Sequence, residues 1–249
     1  MSDTNTEAEE ELAEGTLMSH LTELRNRLFK TLGSLFLVFI IMMPFGRKIF
    51  DFVATPLTRF TPSGELQSIG AVKPLTVIIS LTFYLALFVA MPVVLYQLWA
   101  FVAPGLYRKE KSFAFPLLAS SIVLFYSGLA FAYYVVFPLI FGFVAVFTPD
   151  MVEWKPDIGE YVSFIMMVAL VFGLAFETPI ATMLLVMTGL TTPEKLGQAR
   201  PYVFLGAFVV GMLLTPPDVI SQTMLAIPVY LLFELGIIMS KIFKSPPVK

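Results

Sequence analysis

Long apolar runs without charge punctuate this chain, and their lengths predict its elements. Residues 31–46 form the first, which extends back through Leu28 because Arg27 and Lys30 can lift their charged heads to the interface. Residues 74–107 and 112–149 follow, both longer than the roughly 20 residues a spanning helix needs. The fourth run, 161–193, carries one carboxylate, Glu177. The last two, 201–217 and 219–233, are shorter and separated by Asp218; the final one can continue past Glu234 as far as Ser240. Thr215-Pro-Pro-Asp218 is a turn signal followed by an N-cap residue, which predicts two helices joined by a tight hairpin. The pattern is that of an all-α membrane protein with six transmembrane helices.

The run lengths also carry mechanical expectations. At 1.5 Å per residue the fifth run reaches roughly 25 Å, short of a hydrocarbon core of about 30 Å. A mismatch of that sign is relieved by bilayer thinning or by oligomerisation. The third run is too long for one perpendicular span and should tilt or project. Pro92, Pro138, Pro179 and Pro228 fall inside runs, where each frees a backbone carbonyl and kinks its helix. Gly128 with Ala132, and Ala207 with Gly211, are small residues four apart that allow close helix packing. No internal repeat is visible, which weighs against transporter folds built from paired halves.

Composition agrees with the runs. Hydrophobic residues make up 57% of the 249 and charged residues 14%, against about 25% charged in soluble domains. The formal net charge of −2 argues against nucleic acid as a partner. No cysteine is present and His20 is the one histidine, which removes disulfides, thiolate chemistry and His-built metal sites, so no cofactor is expected. Residues 1–18 hold the acids Asp3, Glu7, Glu9, Glu10, Glu11 and Glu14 and no base, the reverse of a cleavable signal, and read as an unordered acidic tail. A single domain over 19–241 and a short tail over 242–249 complete the chain. With the N-terminus inside, eleven of the sixteen Lys and Arg residues collect on one side, so both termini are expected to be cytoplasmic.

Three carboxylates are candidates for function. A charge at the depth of Glu177 costs about 2.5–3.5 kcal/mol on insertion scales, so such a group faces a polar cavity, a partner or the protein interior. A hydrogen bond to a carbonyl freed by Pro179 is the structural alternative. On the cytoplasmic rim, Glu23 and Arg27 are four apart and can pair on a helix surface. Glu110 sits beside Arg108 and Lys109, which can balance it. Catalytic signatures are absent: no Gly-x-Ser-x-Gly, no His-Glu-x-x-His and no Walker loop.

Several blocks together resemble the TatC family, the multispanning receptors of the twin-arginine protein translocase. They are His20-Leu-Thr-Glu-Leu-Arg25, Trp99-Ala-Phe-Val-Ala-Pro-Gly-Leu-Tyr107, Phe172-Gly-Leu-Ala-Phe-Glu-Thr-Pro179 and the long block 200–218 with Ser221-Gln-Thr223. The resemblance implies a cup-shaped protein in the bacterial inner membrane that binds twin-arginine signal peptides of folded cargo. It implies a signal site at Glu23, Arg25, Phe101, Leu106, Tyr107 and Glu110. It also implies that Glu177 and Gln222 are membrane-embedded polar groups, the latter at a surface for TatA- and TatB-type single-span partners. Pro56, in the outer loop 47–73, matches a position tied to function in the family. Membrane lipids and further copies of the chain are expected in the complex, with transport energised by the proton gradient. Physical chemistry agrees with the signal site, because a carboxylate accepts a guanidinium bidentately and lysine cannot reproduce that fork. The competing reading from the residues alone is a proton-coupled small-solute carrier using Glu177.

Overall fold

The computed structural model describes residues 3–58, 66–102, 114–149, 155–214 and 219–242, and its regular elements there are helices apart from one isolated bridge. Helix α1 (Asp3–Met42) passes through a short 3₁₀ turn (Met43–Phe45) into α2 (Gly46–Thr58). It extends back through the acidic segment expected to be unordered. Glutamate is a good helix former, and acids near a helix N-terminus complement the macrodipole. Next come α3 (Lys73–Val102), then α4 (Ala114–Phe131), a π turn (Ala132–Val136) and α5 (Phe137–Phe147). Helices α6 (Ile158–Ala175), α7 (Thr178–Met187), α8 (Pro193–Gln198), α9 (Arg200–Leu214) and α10 (Val219–Ile242) complete the order.

Among the described residues, five segments are long and apolar enough to cross a membrane: Leu21–Thr55, Lys73–Phe101, Phe115–Phe147, Ile158–Met187 and Gln222–Ile242. Helix α9 is apolar too, but its 15 residues reach about 22 Å. Helix α10 runs eight residues beyond Glu234, because that carboxylate is neutralised there. Arg200 Nε and Nη2 donate to its two oxygens at 2.6 and 2.8 Å, and the Tyr230 hydroxyl donates to it at 2.9 Å. The hairpin residues 215–218 lie outside the described residues.

The four prolines behave differently. Helices α3 and α10 run on through Pro92 and Pro228. The third span meets Pro138 with the π turn, whose wider ring accommodates a residue that cannot donate to the carbonyl four before it. At Pro179 the fourth span breaks: α6 ends at Ala175, and Phe176 and Glu177 form a turn before α7. The pyrrolidine ring of Pro179 would meet the Ala175 carbonyl in an unbroken helix. Residues 47–58, expected to be part of a loop, instead belong to α2. Ile49, Phe50, Val53 and Ala54 fall on one face and pack inward despite the charges between them.

The core lies where α3, α4 and α6 meet, around Leu81, Phe125, Ile165, Val168 and Phe172. Helix α1 packs on α3, while α7 and α9 pack on α10. Gly128 makes the α4–α6 contact possible. A Cβ there would stand 2.5 Å from the Phe172 carbonyl oxygen and 3.0 Å from the Gly173 Cα, both backbone atoms that cannot swing aside. We therefore expect Gly128→Ala to cost about 1–3 kcal/mol by overpacking. The detergent-solubilised variant should melt several degrees below the parent; an unchanged melting temperature would refute the close contact.

Candidate functional site

Polar groups gather at three places. At the N-terminal end of the first span, Glu23 is half-exposed on α1. It accepts from Arg27 Nε at 3.0 Å and from Arg27 Nη2 at 2.5 Å, both on the same carboxylate oxygen. Arg27 Nη1 reaches across to Gln97 Oε1 on α3 at 3.5 Å. The surface pairing expected four residues along thus exists, and it also fastens α1 to α3. Phe101 is half-buried one turn beyond Gln97 in the same helix, and Arg25 is exposed. Leu106, Tyr107 and Glu110 lie outside the described residues. They belong to the segment 103–113 between the end of α3 and the start of α4.

The second place is the break in the fourth span. Glu177 opens α7 without capping it, and its Oε1 is buried with no hydrogen-bond partner among the described residues. The backbone there is satisfied by other means. Glu177 N–H donates to the Leu174 carbonyl at 3.0 Å, and the Glu177 carbonyl accepts from Ala181 at 2.9 Å. The carbonyl freed by Pro179 is not what the side chain bonds. Its neighbour is the Ser121 hydroxyl of α4, within hydrogen-bonding reach. Ser121 is itself fully buried and accepts from Trp99 Nε1 at 3.3 Å. A chain of three polar side chains, the buried Trp99 and Ser121 and the half-buried Glu177, therefore joins α3, α4 and the α6–α7 turn. Trp99 belongs to a recognisable sequence block, but nothing in the sequence pairs it with Ser121.

The third place is the opposite end of the molecule, at the starts of α3 and α6. Asp157 caps α6 by accepting from Gly159 and Glu160 N–H at 2.9 and 3.2 Å. Its other oxygen accepts from Ile69 N–H at 3.1 Å, and Lys73 Nζ lies 2.6 Å away. The Lys73 ammonium, helped by these backbone donors, holds the Asp157 carboxyl down at about 2. Beside it Gln67 exchanges backbone hydrogen bonds with Pro156 and Ile158. Sequence reasoning passed over this link; its one local signal was an Asp before an apolar run. A folded-state pKa below the ordinary carboxylate value has a definite sign. The link stabilises the fold fully above pH about 4 and loses that contribution as pH falls through about 2. The melting difference between the parent and Asp157→Asn should accordingly shrink as pH is lowered from 6 to 2.5. A constant difference would contradict the assignment.

Gln222, expected at a partner surface, donates its side-chain amide to the Phe208 carbonyl at 2.7 Å and so ties α10 to α9. Gly211 lies against it, since a Cβ there would stand 3.1 Å from the Gln222 Cγ. Pro56 falls in the last turn of α2 rather than in a loop.

Fold and site together define a class: a multispanning helical membrane protein whose carboxylates sit at helix ends, at one helix break and at helix–helix ties. The family model described as Sec-independent protein translocase protein (TatC) matches residues 19–228, and the chain belongs to that family. A TatC protein of Azotobacter chroococcum is 49% identical over 222 residues, covering 89% of this chain and 87% of that one. One from Escherichia coli K12 is 48% identical over 228 residues, covering 91% and 88%. A crystal structure described as the twin arginine translocase receptor TatC superposes with a TM-score of 0.81 at 36% identity. It covers 90% of this chain and 98% of its own. The chain is a protein-translocase component and not an enzyme.

Proposed function

We propose that this chain is the signal-receptor core of a twin-arginine translocase in the bacterial cytoplasmic membrane. Helix α9 serves as a sixth, short span, both termini are cytoplasmic, and residues 19–241 act as one cup-shaped domain. Glu23 and Glu110 each take one guanidinium of the paired arginines in a cargo signal. Arg25, Phe101, Leu106 and Tyr107 line the flanking surface.

The observation that carries this reading is the state of Glu23. It already accepts a guanidinium, from Arg27, while remaining half-exposed at the end of its span. An i, i+4 pair on a helix is worth about 0.3–0.5 kcal/mol. A hydrogen bond to a charged group contributes about 1.5–3 kcal/mol, so an incoming arginine displaces the resident one at little cost. Similarity to a structure described as a twin arginine translocase receptor supports the same reading.

Glu177 would face the concave, membrane-embedded side. Helices α9 and α10 would receive TatA- and TatB-type single-span partners, with further copies of the chain in the complex. Gln222 gives one amide hydrogen to Phe208, so its second N–H would be available to such a partner. Pro56 would act on the outer side, and the proton gradient would drive transport.

The test is binding of a twin-arginine signal peptide to the purified chain beside a twin-lysine control. The arginine peptide should bind at least about tenfold more tightly, because lysine offers a point charge instead of a fork. Equal binding of the two peptides would overturn the proposal.

A further inference from the structure

Between the starts of α3 and α6 lies a cavity of about 340 Å³, and its lining is unusual for membrane-spanning helices. Lys73 and Glu160 sit at its rim, with Thr76, Ser80 and Ser163 below them. Elsewhere Thr22, Thr31, Thr82, Ser127, Thr148 and Thr188 each return their hydroxyl to a carbonyl of their own helix. That is the ordinary way a span hides a hydroxyl. Ser80 and Ser163 are exposed to the cavity and make no such bond among the described residues. At membrane depth a polar group without a partner is costly, so these hydroxyls point to something that bonds them.

The charges above them are specific as well. Asp157 is saturated by Lys73, Ile69, Gly159 and Glu160. Lys73 lies across Gly159, where a Cβ would collide with its Cε, so the ammonium is fixed at the rim and still about a third exposed. An ammonium has three donors, of which Asp157 takes one. Glu160 is exposed and bonds no side chain among the described residues. The rim thus presents two cationic donors next to one free carboxylate. Ser80 and Ser163 lie about 10 and 8 Å further along their helices than Lys73 and Ile158, where those spans begin. Charge at the membrane boundary with hydroxyls one to two turns deeper is the profile of a phospholipid: headgroup first, ester carbonyls beneath.

We propose that this cavity binds a zwitterionic phospholipid with a primary ammonium, phosphatidylethanolamine. Lys73 donates to the phosphate, Glu160 accepts from the ammonium, and Ser80 and Ser163 donate to the ester carbonyls. The rim decides the headgroup. Lys73, Asp157 and Glu160 sum to one negative charge, which repels an anionic phosphatidylglycerol. A choline headgroup has no N–H to give Glu160. A phosphate beside an ammonium satisfies both rim groups at once.

Native mass spectrometry of the purified full chain tests this by titration with phosphatidylethanolamine, phosphatidylcholine and phosphatidylglycerol of matched acyl chains. Phosphatidylethanolamine should be retained about tenfold more strongly than either competitor, as one charge-assisted hydrogen bond allows. Glu160→Gln should abolish that preference. The Ser80→Ala, Ser163→Ala double variant should weaken all three lipids alike; its hydroxyls bond nothing internally, so the fold is unaffected. Phosphatidylglycerol binding as well as phosphatidylethanolamine would overturn the proposal, and so would a preference that survives Glu160→Gln.

Discussion

Removing both Glu23 and Glu110 is expected to abolish selective capture of twin-arginine signals while leaving the fold intact. Each carboxylate supplies a charge-assisted bond of about 1.5–3 kcal/mol, so each single alanine variant should lose roughly ten- to a hundredfold in affinity. The double variant should lose at least about a hundredfold and no longer distinguish arginine from lysine. Stability should barely move with Glu23→Ala. Arg27 keeps its contact to Gln97, and the lost intrahelical pair is worth only about 0.3–0.5 kcal/mol. Titration calorimetry of signal peptides against the four proteins, with melting curves beside it, separates the two effects. Full binding by the double variant would end the receptor assignment of both residues. Weakened binding with a melting temperature lowered in parallel would mean that the carboxylates hold the structure and not the signal.

Much of the fold was legible in the apolar runs, because a span must satisfy its backbone internally and so leaves an uninterrupted signature. The parts that were not legible depend on partners far away in the chain. The last run was expected to continue past Glu234 as far as Ser240, and α10 reaches Ile242, but the partner that permits it was hidden: Arg200, 34 positions earlier, neutralises that carboxylate bidentately. Charged Arg47, Lys48 and Asp51 hid the apolar face of α2, whose Val53 and Ala54 are buried. Proline marked four sites of strain without saying which would yield. Of the four, only Pro179 coincides with a break, and it lies two residues after the one carboxylate of its run. At the candidate site, the Glu23–Arg27 pair followed from local spacing. The reach of Arg27 to Gln97 spans 70 positions, and the Lys73–Asp157 link 84, distances at which a lone sequence carries no signal.

The chain of Trp99, Ser121 and Glu177 sets up the second large effect, which concerns transport instead of capture. Ser121 accepts from Trp99 and so has its own proton to give to Glu177. The other carboxyl oxygen of Glu177 is buried without a partner among the described residues. A buried acceptor left unpaired costs about 1–3 kcal/mol, a strain that a hydrogen-bond donor on an arriving helix would relieve. Glutamine at this position keeps an acceptor for Ser121 and adds a donor. Alanine keeps neither and leaves the Ser121 hydroxyl stranded. We therefore expect Glu177→Gln to retain most export of a folded reporter in cells, and Glu177→Ala to lose about tenfold or more, in line with one buried hydrogen bond. Twin-arginine peptide binding should be unchanged in both, since Glu23 sits on a separate helix and bonds Arg27 instead of these three side chains. Equal loss of export in the two variants would require a carboxylate that takes up and releases a proton. In that case uptake of small solutes by the isolated chain in liposomes becomes the decisive experiment, because a receptor shows none and a proton-coupled carrier must.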